Sequence, residues 1–368
     1  MRRVFVIIGI IVLITLTYQN TLHAQRGIQK KVLSPTLSSY AEYRRWEKDI
    51  DGITQTVSQF SIPTYLNMPL NESFSLNLVG SAASSAAGSS NLSGLADLKA
   101  NAVALFADET IMLTAGINLP SGKNELDSEE VLVSAVLSDR AMGFRHNRLG
   151  DGLDLNVACG AARAFGNVAL GAGIGYLAKG EYEYMEGKKY KPGSQINVTG
   201  GFDILLKTLL LRSDVTYSVY QSDKIDDLEV FEEGPRFSIE ETLVVPLEKL
   251  SVLLSGRYTN RGENEFLYDG LESQTEKIYG DQIDVDGEVN LRSTDTVELK
   301  LLFASKFIGE DERGQNDATV LGFGAGVTIR FMRTSSLDLA ARYYTGNSDQ
   351  DTVSLKGFST TISARVVF

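Results

Sequence analysis

The sequence has little of what several protein classes require. It holds one Cys and two His in 368 residues, which excludes a disulfide scaffold, a thiolate zinc site and a multi-histidine metal site. Its longest apolar run, Val4–Thr17, is shorter than the roughly 18 residues of a membrane-spanning helix, so a multi-span helical transporter is excluded. A net charge of −12 argues against a nucleic-acid partner, which would need a basic face. We expect no metal and no cofactor.

Proline is also scarce, with 7 residues, whereas 34 Gly, 15 Tyr and 16 Phe favour many extended segments. The chain begins with an export signal. Arg2 and Arg3 precede the apolar run Val4–Thr17, and small Ala24 ends a cleavage site, so residues 1–24 are predicted to be a signal peptide. The protein is therefore expected to leave the cytoplasm.

From residue 53 to Phe368 the dominant hydrophobic period is two, which places alternate side chains on opposite faces of a strand. The connections between the candidate strands are short and long in alternation, as in transmembrane β-barrels with short periplasmic turns and long outer loops. A soluble β-sandwich would also alternate, but it has no reason for alternating loop lengths. The pattern predicts an all-β fold, a transmembrane antiparallel up-and-down β-barrel in the outer membrane of a Gram-negative bacterium.

The strand number is less well defined by the pattern. The candidate segments are odd in number, whereas bacterial barrels have even numbers, so we expect about 14 strands, with 12 or 16 as alternatives. Pro63 weakens the first candidate, 54–66. Residues 25–52 show no strand period and are expected to plug the lumen or to lie in the periplasm. The last strand ends in Phe368, which we expect the barrel-insertion machinery to recognise, and the outer-membrane lipid is the other expected partner.

Charged strand residues fall mostly on the face opposite the lipid, where charge does not meet hydrocarbon. This parity predicts a set of lumen charges, namely Arg212, Arg236, Arg257, Arg292, Arg330, Arg342, Arg365, Asp284, Asp286 and Glu288. Two interpretations stay open. Either a basic inner rim attracts an anionic group, or the charges form a salt-bridged wall that holds the barrel together.

One long outer connection contains two unusually apolar stretches, Val131–Leu137 and Ala141–Phe144. They predict either a loop or short helix that folds into the lumen and captures a hydrophobic solute, or flanking strands that continue above the membrane. On the first interpretation the ligand-binding residues are Val131, Leu132, Val133, Val136, Leu137, Met142 and Phe144.

Catalysis has weak support in the sequence. His146 is the one histidine after the signal, but no Ser or acid at diagnostic spacing marks a triad with it, so we predict no catalytic residue and no enzyme. Cys159 falls on the lipid face by parity and is expected to be an inert small hydrophobe.

Three stretches resemble a known family. Ser93–Leu98 reads SGLADL, Ala115–Lys123 reads AGINLPSGK, and Leu149–Asp154 reads LGDGLD. They resemble the outer-membrane barrels of phenol meta-pathway transporters, relatives of the FadL-like channels, in which a SGLGDL strand start leads to a GLKLPTGK strand end. Ala96 and Ser121 replace the usual Gly and Thr. The resemblance covers residues 54–180 and implies passive uptake of hydrophobic or aromatic solutes.

Three functions remain as hypotheses. The first is a passive channel for small hydrophobic or aromatic compounds, and the second is a general diffusion porin. The third is a barrel enzyme that uses His146, or a purely structural barrel. An apolar loop in the lumen favours the first, an open charged constriction favours the second, and a Ser and an acid beside His146 favour an enzyme.

Overall fold

The structure is a computed structural model that describes residues 34–185, 187–267, 273–332 and 334–368. The predicted signal peptide, residues 1–24, lies outside the described residues, as does the stretch 25–33. Within the described ranges, no helix has both the length and the apolar composition to cross a membrane.

The chain forms one sheet of seventeen antiparallel strands that closes on itself, because the first strand pairs with both the second and the last. The strands of this barrel are β1 (Thr36–Ile50), β2 (Ile53–Pro69), β3 (Phe74–Ala87), β4 (Ser90–Leu95), β5 (Leu98–Phe106), β6 (Ile111–Leu119), β7 (Asp154–Phe165), β8 (Val168–Ala178), β11 (Gln195–Leu206), β12 (Leu209–Tyr220), β15 (Arg236–Pro246), β16 (Leu250–Arg261), β19 (Gln282–Arg292), β20 (Val297–Ile308), β21 (Ala318–Arg330), β22 (Ser336–Ser348) and β23 (Val353–Val367).

The barrel has 16 strand positions, because β4 and β5 both pair with β3 and share one of them. The expected number of about 14 is therefore too low, and the alternative of 16 is correct. Between β4 and β5, residues 96–98 lie opposite Gly80 and Ser81, so this shared strand position contains a one-residue bulge. The bulge turns Asp97 into the lumen.

The hydrophobic period of two did not reveal β1 as a strand. The prediction that residues 25–52 plug the lumen or lie in the periplasm is wrong for Thr36–Ile50, which pairs along its length with β2 and β23. The barrel therefore begins at residue 36 rather than 53. Both faces of β1 carry charge near its end, with Arg44 inside and the Arg45–Glu47 pair outside, and this hides the alternation.

Pro63 lies inside β2 in spite of having no N–H group. The ladder between β1 and β2 runs to Ser39–Thr64 and resumes at Glu42–Ser61, so it skips the position where Pro63 has no donor. The pairing of β2 with β3 continues through Pro63. A single gap on one side of the strand accommodates the ring.

The two ends of the barrel differ in their connections. Long connections 120–153, 179–194, 221–235, 262–281 and 309–317 share one end, which by this asymmetry is the extracellular end. The expected strict alternation is wrong for three connections at that end, because 51–52, 88–89 and 349–352 are short turns. They join β1 to β2, β3 to β4 and β22 to β23, so the rim is low on this side.

The opposite side of the extracellular rim is raised by a second antiparallel sheet of six short strands. These strands come from three long connections and are β9 (Tyr182–Met185), β10 (Lys188–Lys191), β13 (Asp223–Ile225), β14 (Leu228–Glu232), β17 (Asn264–Phe266) and β18 (Gln274–Glu276). The longest connection, 120–153, does not join this sheet as a strand. It contains the helix α1 (Ser128–Leu137).

The outer face of the barrel is apolar, as the alternation predicted. Large apolar side chains are exposed on alternate positions of the strands, for example Leu155 and Val157 in β7, Ile174 in β8 and Ile362 in β23. A closed barrel leaves no unpaired strand edge, so its backbone groups are satisfied within the hydrocarbon region of a membrane. The two features together are those of an outer-membrane barrel.

Candidate functional site

Residues 120–153, called here the inserted segment, fold into the extracellular half of the lumen. This segment buries six apolar side chains in one cluster, namely Leu126, Val133, Leu137, Ala141, Met142 and Leu149. The other members of the cluster lie on eight barrel strands near their extracellular ends and are Trp46, Val57, Ala83, Leu92, Ile308, Ala318, Val320, Tyr344, Val353 and Leu355. The alternative that the flanking strands simply continue above the membrane is therefore wrong.

The helix α1 presents one apolar side to this cluster. Asp127 caps its N-terminus by accepting a hydrogen bond from the Glu130 backbone N–H at 2.9 Å, and the Glu130 side chain accepts one from the Asp127 N–H at 3.2 Å. This capping box fixes where the helix begins. Val133 and Leu137, four residues apart, then fall on the same face and pack against the wall.

Three wall side chains hold the backbone of the inserted segment. Arg44 donates to the carbonyl oxygens of Met142, at 3.2 Å, and Gly143. Gln59 donates to the His146 carbonyl at 2.6 Å and accepts from the N–H groups of Arg145 and His146 at 3.0 and 3.1 Å. The Lys306 ammonium donates to the Arg140 carbonyl at 2.6 Å. These bonds satisfy backbone groups that have left the outer solvent.

Asp97, in the bulge between β4 and β5, joins the two ends of the inserted segment. Its carboxylate accepts hydrogen bonds from the N–H groups of Gly122 and Asp151, both at 2.8 Å, and from the Asn118 amide at 3.1 Å. The Asp97 N–H donates to the Leu149 carbonyl at 3.0 Å. The three sequence stretches that carry the family resemblance therefore meet at this one carboxylate, which fixes the base of the inserted segment.

The residues predicted to bind a hydrophobic ligand occupy different environments. Val133, Leu137 and Met142 are fully buried in the cluster, and Val131, Val136 and Phe144 pack against it half-buried. Leu132 is exposed. The cluster is thus filled by the protein's own side chains in this conformation, and ligand binding by these residues stays a prediction.

Most of the predicted lumen charges form ion pairs with side chains of other strands. Side chains at these positions form the pairs Arg212–Asp203 at 2.9 Å, Arg330–Glu298 at 2.6 Å, Arg342–Asp286 at 3.3 Å, Arg257–Glu240 and Arg236–Glu233. Lys300 lies between Glu288 and Asp338, at 3.6 and 2.9 Å. Asp284 accepts from Gln282 at 2.8 Å, and Arg292 and Arg365 are exposed near the opposite end. Arg212, Arg257 and Arg330 each pair with an acid of the neighbouring strand, and such cross-strand pairs support the wall interpretation.

His146 has a serine beside it, which the sequence spacing did not reveal. Its Nε2 lies 2.8 Å from the Ser81 hydroxyl of β3. Within the described residues, no carboxylate is hydrogen-bonded to the imidazole, and Glu42, the acid that affects it electrostatically, is paired with Arg44 and Arg145. The serine that an enzyme would need beside His146 is therefore present, but an acid hydrogen-bonded to the imidazole is not among the described residues. The contact instead ties the inserted segment to β3.

This contact predicts a pH dependence. Burial, with help from Arg145 and Lys99, lowers the pKa of His146 to about 4. His146 therefore resists protonation while the segment is docked, whereas in a released segment its imidazole regains the ordinary pKa near 6.5. Docking is unaffected above pH 6.5 and weakens as the pH falls from 6.5 to 4, by up to about 3 kcal/mol at 1.36 kcal/mol per pKa unit. Single-channel recording should show more frequent opening at pH 4.5 than at pH 7.5.

The matched control for this pH effect is His146→Gln, which keeps a hydrogen-bonding group opposite Ser81 but does not titrate. Its opening should depend much less on pH. An identical pH profile in both proteins would assign the effect to carboxylates and contradict the role of His146.

Cys159 lies on the outer wall, as parity predicted, in an apolar depression of about 670 Å³. The depression is lined by side chains of β3, β5–β8 and β11, among them Ala102, Leu113, Val157 and Ile174. It faces the lipid and is separate from the lumen.

No family model matches the chain, and no curated protein matches it. Solved structures with a similar fold include the CymD monoaromatic hydrocarbon channel, at 12% identity and a TM-score of 0.43 over 91% of this chain and 88% of that one. A FadL homologue from Pseudomonas aeruginosa has 10% identity and a TM-score of 0.45 over 90% of each chain. An outer-membrane channel from Pseudomonas putida F1 has 11% identity and a TM-score of 0.40 over 93% of this chain and 100% of that one.

A FadL homologue is thus among the similar structures, as the sequence resemblance implied. At these identities and TM-scores the similarity transfers no function to this chain. The location follows from the fold itself. A closed antiparallel barrel of 16 strands with an apolar outer face and a polar, ion-paired inner wall is an integral protein of the bacterial outer membrane.

Proposed function

We propose that the protein is a passive outer-membrane channel for small hydrophobic or aromatic compounds, closed at its extracellular half by the inserted segment. The observation that carries this proposal is the apolar cluster formed by α1, Ala141 and Met142 with the inner wall. A water-filled diffusion pore does not need a buried apolar surface at its mouth. A channel for hydrophobic solutes benefits from one, because the free energy of such a solute falls when it leaves water there.

In the proposed mechanism the solute competes with the wall for the apolar face of the inserted segment. Leu132 is exposed and Val131, Val136 and Phe144 are half-buried, so they offer the first contacts. A solute that binds the released segment better than the docked one shifts the population toward the open barrel. The polar contacts from Arg44, Gln59 and Lys306 limit how often the segment leaves without a solute.

The charged inner wall beneath the segment supplies the path once the segment moves. Its ion pairs keep the lumen wet and the barrel rigid, and transport through it needs no energy input. A general diffusion porin would use the same wall but would lack a closed state. An enzyme would need a carboxylate on His146, and among the described residues no such hydrogen bond exists.

Binding of an alkylbenzene to the refolded protein tests the proposal. Isothermal titration of propylbenzene into the protein in detergent should give saturable binding. A variant in which residues 128–144 are replaced by a short Gly-Ser linker should lose it. Linker replacement in the outer loop 309–317 provides the control and should leave binding unchanged. Equal binding by all three proteins, or none by the wild type, would contradict the proposal.

A further inference from the structure

Three arginines meet at the extracellular mouth, where the described residues supply few ion-pair partners for them. Arg236, at the start of β15, and Arg261, at the end of β16, are direct cross-strand neighbours. Arg140 of the inserted segment reaches the same place, because Tyr279 stacks under both Arg140, at 4.4 Å, and Arg261, at 5.8 Å. Two like charges directly opposite each other destabilise a sheet, so this arrangement needs a counter-charge.

The described residues supply little of that counter-charge. Glu233 pairs with Arg236. Neither Arg140 nor Arg261 has an ion pair with any carboxylate in the described ranges, which omit residues 268–272 of the adjoining loop. Burial lowers the pKa of Arg140, and the nearby Tyr279, Asp139 and Asp284 only partly offset this.

The three arginines and Tyr220 hold buried donors that are not used. Nη1 of Arg140, Nε of Arg236, Nη1 of Arg261 and the hydroxyl of Tyr220 are each buried without a hydrogen-bond partner among the described residues. Tyr220 lies beside this group, with its ring 5.5 Å from the Arg236 guanidinium. Buried donors without partners are costly unless something else binds them.

We propose that Arg140, Arg236 and Arg261 form a binding site for the carboxylate group of a small organic anion at the extracellular mouth. Guanidinium groups match a planar carboxylate with pairs of parallel hydrogen bonds, which makes arginine the preferred partner for this group. Because Arg140 belongs to the inserted segment while Arg236 and Arg261 belong to the wall, a bound carboxylate bridges the two. The site extends the proposed function from neutral hydrophobic solutes to solutes that carry a carboxylate.

Titration with benzoate and with its uncharged analogue benzamide tests this site. The wild-type protein in detergent at constant ionic strength should bind benzoate saturably and benzamide at least about tenfold more weakly, as expected for loss of charge-assisted hydrogen bonds. Arg261→Gln and Arg140→Gln should each weaken benzoate binding by about tenfold or more. Arg313→Gln is the matched control, because Arg313 is an exposed arginine of the outer loop 309–317, and it should bind benzoate as the wild type does.

Thermal unfolding separates a binding site from a purely structural cluster. Benzoate should raise the Tm of the wild type but not that of Arg261→Gln, and without benzoate Arg261→Gln should be at least as stable as the wild type because a cross-strand repulsion is removed. Equal binding of benzoate and benzamide, or wild-type benzoate affinity in both variants, would overturn the proposal. Alkylbenzene binding by the wild type is measured in parallel, so failure of the carboxylate site is distinguishable from failure of the proposed function.

Discussion

Asp97→Asn is expected to release the inserted segment and to raise the open probability of the barrel by about tenfold or more, since an unsatisfied buried N–H costs about 1–3 kcal/mol. The Asp97 side chain is 6% exposed and accepts from two backbone N–H groups, those of Gly122 and Asp151, that begin and end the segment. Asparagine has one acceptor oxygen, so one of the two N–H groups would face an NH2 group. The base of the segment would then open.

Asp311→Asn provides a control that removes a carboxylate charge at another place. Asp311 also accepts from two backbone N–H groups, those of Arg313 and Gln315, and from an asparagine amide, that of Asn316. These hydrogen bonds all stay within the outer loop 309–317. We expect Asp311→Asn to leave the single-channel record unchanged. If Asp97→Asn and Asp311→Asn both behaved as the wild type, Asp97 would not hold the segment.

Leu137→Ala is expected to destabilise the docked segment by about 2–5 kcal/mol, the range found when a buried leucine is truncated and a cavity remains. Leu137 is 2% exposed in the apolar cluster, and its neighbours there are fixed to the barrel wall, which limits how far the cavity can collapse. The segment should therefore leave the lumen far more often. Limited proteolysis of the segment in the refolded barrel and single-channel recording both measure this.

Leu132→Ala is the matched control, since Leu132 lies on the same helix and is 65% exposed. It removes the same atoms from a helix of the same length, so any change in helix propensity is shared by both variants. Its effect on docking should be small. Equal effects of Leu137→Ala and Leu132→Ala would show that the apolar cluster does not hold the segment in the lumen.

The barrel was predictable because its signal is repeated. One face of each strand meets lipid and the other meets water, so the period of two recurs from strand to strand and errors in one segment do not hide the whole. Parity also grouped Arg212, Asp286 and Arg330 on the face opposite the lipid, and all three side chains form ion pairs. The period failed at β1, where Arg45 and Glu47 charge the outer face near the extracellular end.

The inserted segment was only half predictable. Its apolar residues indicated that something must bury them, but composition does not say whether the burial is in the lumen or above the membrane. Where the segment is buried depends on contacts between residues far apart in sequence, such as Gln59 with His146 and Lys306 with Arg140. The family-like stretches contained the missing information at Asp97, whose role becomes visible only when Gly122 and Asp151 are brought to it.

The group of three arginines at the mouth also depends on a contact that the sequence pattern does not reveal. Parity indicated that Arg236 faces the lumen, and the cross-strand register with Arg261 follows once β15 and β16 are paired. Arg140 joins them only because the inserted segment folds inward. A sequence pattern can therefore predict the wall half of such a site but not the half that a loop contributes.

Single-channel conductance of the refolded mature protein in planar bilayers, compared with the variant in which a short Gly-Ser linker replaces residues 128–144, tests the central claim most directly. The claim is that the inserted segment closes a barrel that would otherwise conduct. We predict little or brief conductance for the wild type and a large, stable conductance for the variant. Equal conductance in the two proteins, whether large or small, would contradict it.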